Sequence, residues 1–186
     1  MRVVAGRLGG RRLRAVPGSA TRPTSDRVRE ALFSILGDRV AGARVLDLFA
    51  GTGALAIEAL SRGAAFAVLV EQAPRAIAVI RSNLEALDLQ RVATVRRTRA
   101  ETYLRSQRDG PFDLALLDPP YAIGVGMLAG LLAALERGAL APGAVVAVEA
   151  AARAEAPPWP AGLVPSDPRR YGDTALHLAT LSSSPT

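Results

Sequence analysis

The chain has 186 residues, enough for one core with appendages and too few for two comfortable domains. It contains no cysteine and a single histidine, which excludes disulfides, thiolate metal sites and an imidazole cluster for zinc or for a triad; catalysis must use carboxylates, backbone or an organic cofactor. The formal charge is +6, and the first 30 residues hold all of it: eight arginines stand there against Asp26 and Glu30, while the rest of the chain sums to zero.

The start, Met1-Arg2-Val3-Val4-Ala5-Gly6-Arg7, has no secretory apolar core, and no apolar run approaches the roughly 18 residues that a membrane span needs, so a cytoplasmic protein is expected. Residues 1 to 16 alternate short apolar pairs with Gly9-Gly10 and arginines, a pattern that suggests a small β-hairpin rather than a core strand. All 23 basic residues of the chain are arginine, a bias better explained by genomic base composition than by a ligand. Their placement is more informative than their identity. Arg2, Arg7, Arg11, Arg12, Arg14, Arg22 and Arg27 form an electrostatic footprint for a polyanion such as nucleic acid.

Pro17 to Thr24 reads as a loop that closes the amino-terminal arm, residues 1–24. From Asp26 to Leu36, Val28, Ala31, Leu32, Ile35 and Leu36 fall at helical spacing; Thr24 or Ser25 can cap the start and Gly37 can end it. This helix shows Arg27, Glu30 and Ser34 on its other face. Strand and helix then alternate: strand 44–49, helix 54–62, strand 66–71, helix 74–87, strand 92–96, strand 112–117, a helix near 125–137 and strand 144–149. That rhythm predicts a parallel sheet. Pro157 to Pro168 is a proline-rich connection holding Trp159, and 175–180 closes as a last, antiparallel strand paired through the Tyr171-Gly172-Asp173 turn with a short strand before it. The expected main domain spans residues 25–181, followed by a tail, 182–186, expected to be disordered.

The first strand runs Val45-Leu46-Asp47-Leu48-Phe49 into the turn Ala50-Gly51-Thr52-Gly53, which opens a helix. Gly51 and Gly53 let a ligand lie against bare backbone, but this spacing alone also fits a dinucleotide fold. Asp47 separates the two. A carboxylate just before the turn repels a pyrophosphate, yet suits the ammonium group of an amino-acid-bearing cofactor. The second strand ends in Glu71, followed by Gln72, twenty residues beyond Gly51, where a carboxylate can accept both hydroxyls of a ribose. Together these acids predict a pocket for S-adenosyl-L-methionine.

The run Phe112-Asp113-Leu114-Ala115-Leu116-Leu117 delivers Asp118-Pro119-Pro120-Tyr121 at the carboxyl end of a buried strand, where open α/β sheets place their chemistry. The prolines fix the backbone, Asp118 and the Pro119 carbonyl offer two acceptors, and Tyr121 offers a flat face for stacking. A purine amino group is a poor nucleophile because its lone pair is delocalised into the ring. Two acceptors on its N–H groups turn that pair toward a methyl donor. The catalytic set is therefore Asp118, Pro119, Pro120 and Tyr121, and no metal is required.

Thr21-Arg22-Pro23-Thr24-Ser25-Asp26-Arg27-Val28-Arg29-Glu30-Ala31-Leu32-Phe33 resembles the signature of the RsmD family of ribosomal RNA methyltransferases, and Arg169-Arg170-Tyr171-Gly172-Asp173 is similar to that family's carboxyl-terminal segment. Asp47 to Gly53 and Asp118 to Tyr121 are shared by methyltransferases more widely. The resemblance covers nearly the whole chain. It implies a Rossmann-like class I S-adenosylmethionine-dependent methyltransferase fold, an α/β architecture whose mostly parallel seven-stranded sheet ends in an antiparallel strand, extended by the amino-terminal hairpin and helix. It also implies transfer of a methyl group to N2 of one guanine in 16S rRNA, in the assembled or partly assembled small subunit, by a monomer.

One segment departs from the family. Where the family carries Gly-Asp-Ala after the third strand, its acid facing the adenine amino group, this chain has Thr98-Arg99-Ala100. Arg99 cannot accept that hydrogen bond, so either Glu101 or a backbone carbonyl takes over beside Arg99 and Ala100 in the cofactor wall, or cofactor affinity is lower. Arg91, Arg96, Arg97, Arg99, Arg105 and Arg108 are candidates to extend the basic surface. Rival readings are a DNA adenine or cytosine amine methyltransferase, a protein glutamine methyltransferase and a non-catalytic RNA-binding assembly factor; a dinucleotide oxidoreductase fits least, because Asp47 would face phosphate.

Overall fold

A computed structural model of the chain describes residues 1–16, 25–106, 109–120 and 122–182. Eight described strands form one sheet: β1 (Arg44–Asp47), β2 (Phe66–Glu71), β3 (Ala93–Arg97), β4 (Phe112–Leu117), β5 (Leu140–Ala151), β6 (Leu163–Pro165), β7 (Arg169–Tyr171) and β8 (Thr174–Leu181). Their order is β3-β2-β1-β4-β5-β8-β6, with β7 also on β8; the first five are parallel, and β8 runs antiparallel to β5, β6 and β7. This is the Rossmann-like methyltransferase architecture that the sequence predicts, with β6 as an additional edge strand.

Five described α-helices cover the sheet: α1 (Asp26–Leu36), α2 (Ala54–Ser61), α3 (Pro74–Ala86), α4 (Ala100–Ser106) and α5 (Val125–Gly138). Alternate strand residues feed two cores. Val45, Leu69, Leu114 and Leu116 pack with α1, α2 and α3, while Leu46, Val68, Ala115 and Val146 pack with α4 and α5. Strands buried on both faces are nearly continuously apolar, which is why β2 and β4 stand out in the sequence.

Helix α1 starts where Ser25 Oγ accepts the Val28 N–H at 3.2 Å and ends at Gly37, which has φ 52°. Its buried face is Val28, Arg29, Leu32, Phe33 and Leu36, while Ile35 is 41% exposed. Hydropathy places the stripe on Ile35 instead. Arg29 turns the helix: its guanidinium is wholly buried between Asp26 and Glu58, so the inward face is centred on a charge that hydropathy assigns to solvent.

The arm forms a hairpin reduced to one bridge, Arg2 with Arg12, supported by Val3 N–H to the Arg11 carbonyl at 2.9 Å. It is moored to the domain. The Glu58 carboxylate accepts the Val4 and Ala5 N–H groups at 2.7 and 3.0 Å, Ser61 accepts that of Leu8, and Asn83 both accepts from and donates to the backbone of Arg14. Val3 and Leu13 join the core under α1 and α2. The predicted loop 17–24, Arg22 and Thr24 included, lies outside the described residues, as do Arg108, Tyr121 and residues 183–186.

Candidate functional site

The parallel order reverses between β1 and β4, the topological switch point at which open α/β sheets bind ligands. Pairing places Leu69, Asp47, Leu116 and Ala147 in one row across β2, β1, β4 and β5. Two residues further along each chain stand Glu71 at the end of β2, Asp118 just past β4 and Glu149 near the end of β5, while Phe49, past the end of β1, packs on the opposite core. Four carboxylates thus converge around the switch point, with Asp47 one pleat lower than the others.

Asp47 is fully buried. One carboxylate oxygen accepts the Ala56 N–H at 3.3 Å and the other, Oδ1, has no hydrogen-bond partner. Burial pushes its pKa up to about 7, against the pull of the Ala56 N–H, and the charges of Asp118 and Glu71 push the same way. An unpartnered carboxylate oxygen beneath a glycine turn is costly to hold ionised, which is the cause of the raised pKa.

The turn above it is held by its own backbone: Ala50 N–H donates to the Val70 carbonyl at 3.1 Å and Gly53 N–H to the Ala50 carbonyl at 2.6 Å. Its two glycines serve different ends. A Cβ on Gly53, with φ 80°, would meet Leu69 Cδ2 at 3.1 Å, so this glycine lets α2 seat on β2; a Cβ on Gly51, with φ 54°, would have only the Phe49 carbonyl at 4.0 Å and would project into open space. Thr52 turns toward the arm, its hydroxyl 3.9 Å from the Met1 sulfur and its carbonyl accepting from Asn83.

Glu71 fastens two turns together. It accepts the Gly51 N–H at 2.9 Å on one oxygen and those of Gln72 and Ala73, both at 2.8 Å, on the other. With about four acceptor positions on a carboxylate, three are engaged by backbone, so ribose hydroxyls would share this group with the turns rather than find it open. Beside it lies a cleft of about 190 Å³, whose walls include Phe49, Glu71, Gln72, Arg99, Ala100 and Glu101. The structure therefore brings together five of the predicted cofactor residues with Glu101, the alternative acceptor named from the sequence, whose carboxylate lies 3.5 Å from the Arg99 guanidinium.

Asp118 is half-buried at the end of β4 and Pro119 is buried, while the exposed Pro120 lines both this cleft and a larger cavity of about 520 Å³ on its far side. The Pro120 carbonyl accepts the Ile123 N–H at 2.8 Å, so the backbone acceptor next to Asp118 is that of Pro119.

Of the predicted RNA-facing arginines, Arg2, Arg7, Arg11, Arg12, Arg14 and Arg27 are all exposed. Arg29 is not part of that surface, and Arg96 is engaged by Asp109 at 2.6 Å, which holds the Asp109 carboxyl below its ordinary value. Sequence reasoning missed Glu58, Ser61 and Asn83, which position the arm. A lone acid inside the apolar helix Ala-Leu-Ala-Ile-Glu58-Ala-Leu was the available signal. Among the described residues no group of acids or histidine could hold a metal ion, and no helix is long and apolar enough to cross a membrane.

Comparison with known proteins agrees with this geometry. The family described as conserved hypothetical protein 95 matches residues 1–180. A Bacillus subtilis protein named "Putative rRNA methyltransferase YlbH" is 46% identical over 123 residues, 65% of this chain and 67% of that protein. Ribosomal RNA small subunit methyltransferase D of Escherichia coli K12 is 38% identical over 125 residues, 67% of this chain and 62% of that protein, so the aligned stretch spans about two thirds of these relatives' length. The solved structure titled "Putative methyltransferase yhhF", also from Escherichia coli, superposes with a TM-score of 0.87 at 34% identity, covering 99% of both chains.

Proposed function

The chain belongs to the RsmD family, the small-subunit ribosomal RNA methyltransferases, and from that premise we propose that it methylates the exocyclic N2 amine of one guanine in 16S rRNA, using S-adenosyl-L-methionine. The observation that carries this reading is the placing of Asp118 at the end of β4, beside the switch point and two residues before Pro120, which lines both the cleft next to Glu71 and the second cavity.

The residues fit the cofactor. Asp47 Oδ1 and the open face of Gly51 would receive its amino-acid end, Glu71 its ribose, and Phe49, Gln72, Ala100 and Glu101 its adenine, Glu101 supplying the acceptor that Arg99 cannot. When bound, it supplies a methyl group on a positively charged sulfur; transfer to nitrogen leaves a neutral thioether and one amine proton to be removed.

The protein's part is positional. Asp118 and the Pro119 carbonyl accept the two amine N–H groups, which localises the nitrogen lone pair and aims it across the partition; Asp118 then holds the departing proton and passes it to solvent. Tyr121, outside the described residues, keeps the stacking role that the sequence predicts for it. Positioning of this kind supplies about 7 to 11 kcal/mol of a barrier. The base must leave its stack at a cost of a few kcal/mol, which contacts from the exposed arm arginines to phosphates offset.

Asp118→Ala tests the assignment. It should abolish methyl transfer to undermethylated small subunits while RNA binding stays within about twofold, because the arm makes those contacts. Retained methyl transfer would sink the role given to Asp118.

A further inference from the structure

The cavity beyond Pro120 has apolar walls from Ile123, Val125 and Leu128, and its charged lining residues are Glu149, Glu155 and Asp173. All three are acids, on a chain with net charge +6 whose arm is strongly basic. Such a pocket repels phosphate and attracts hydrogen-bond donors.

Glu149 has a defined place in it. Leu117 of β4 pairs with Val148 of β5, so Asp118 and Glu149 are the next residues of neighbouring strands. Neighbouring strands lie about 4.8 Å apart. Two carboxylates on adjacent backbones, Glu149 in the cavity wall and Asp118 one residue before Pro119 of that wall, are complementary to a flat edge bearing adjacent donors. Among the four RNA bases, guanine alone carries two neighbouring donor groups, N1–H and N2–H2. Adenine and cytosine place a ring-nitrogen acceptor next to the amine, and uracil flanks its single N–H with two carbonyls.

We propose that this cavity is the receptacle for the extruded guanine and that Glu149 is the specificity residue, accepting the N1–H while Asp118 accepts from the N2 amine. The assignment rests on the guanine reading above and adds to it the means by which guanine is told from adenine. A purine with an acceptor at N1 would place that lone pair against the Glu149 carboxylate, so rejection arises from repulsion as well as from a lost bond.

The test uses 2-aminopurine, which keeps the exocyclic N2 amine but carries an unprotonated N1. Small-subunit particles are reconstituted with RNA bearing either guanosine or 2-aminopurine at the modified nucleotide, and kcat/KM is measured for the full chain and for Glu149→Gln. The unaltered protein should favour guanosine by about 100-fold, the scale of one charge-assisted hydrogen bond. Glu149→Gln can donate to an unprotonated N1, so its preference should fall below about 10-fold while its affinity for S-adenosylmethionine stays unchanged, the sign that it remains folded.

Three results would overturn the proposal: equal use of both bases by the unaltered protein, an unchanged preference in Glu149→Gln, or equal losses on both bases, which would give Glu149 a merely structural part. In each of these guanosine is still methylated by the unaltered protein. Failure of the underlying guanine reading looks different, with no methyl group on the guanosine particle at all.

Discussion

Glu58→Gln should cost the protein about 3–5 kcal/mol, the range for breaking a buried ion pair. Glu58 is 1% exposed, and its carboxylate accepts from Val4 N–H at 2.7 Å, Ala5 N–H at 3.0 Å and Arg62 Nε at 2.8 Å, with Arg29 Nε at 3.5 Å. Glutamine keeps the shape but not the acceptors: whichever oxygen becomes an amide nitrogen then points N–H groups at another donor. It also leaves the Arg29 guanidinium, 0% exposed, with Asp26 as its remaining carboxylate partner. At about 2–4 °C per kcal/mol for a chain of this size, the melting temperature should fall by roughly 6–20 °C. Denaturant unfolding measures the loss, and trypsin reports where it acts, because the arm carries Arg7 and Arg11. Both sites should be cut faster in the variant, as the mooring of the arm to α2 is what protects them. Adding Arg29→Met should recover about 1–3 kcal/mol relative to the sum of the single losses, since the stranded charge goes with it. A loss below about 1 kcal/mol with unchanged trypsin cleavage would refute the account of how the arm is held.

The pKa of Asp47 gives a pH signature. Its folded-state pKa of about 7 lies above the ordinary 3.8, so the folded form keeps a proton that the unfolded chain releases, and stability falls as pH rises from about 4 to 7, by a total on the order of 4 kcal/mol. Asp47→Asn should flatten that slope, exceed the unaltered protein in stability at pH 8, and bind S-adenosylmethionine more weakly; a slope that survives in the variant contradicts the assignment. Gly53→Ala, strained in φ and pressed on Leu69, should lose about 1–2 kcal/mol more stability than Gly51→Ala, whereas Gly51→Ala should lose more cofactor affinity in calorimetry. The opposite order would mean that Gly51 does not face the cofactor.

The sequence carries β2 and β4 to the residue, because strands covered on both sides must be apolar throughout and are bounded by acids or proline. It fails where that logic does not apply. Helix α4 is seven residues long with only Ala100 and Tyr103 buried, too short to show a period. Strand β5 begins at Leu140, before Pro142-Gly143, residues that read as breakers but sit at a register shift opposite Phe112 and Leu114. Strand β6 is three residues within a proline-rich stretch, at the sheet edge, where a proline is tolerated. The candidate residues, by contrast, stand where simple rules place them. Asp47, Glu71 and Asp118 follow from strand ends and a glycine turn. The adjacency of Asp118 to Glu149, and the engagement of Glu71 by three backbone N–H groups, require the register between strands and cannot be read along one chain.

Incubating the protein with methyl-labelled S-adenosylmethionine and undermethylated small ribosomal subunits, then mapping the labelled nucleotide, tests the central claim most directly. The account predicts label on N2 of a single guanine in 16S rRNA; label on an adenine, on DNA or on protein, or none on the RNA, would contradict it.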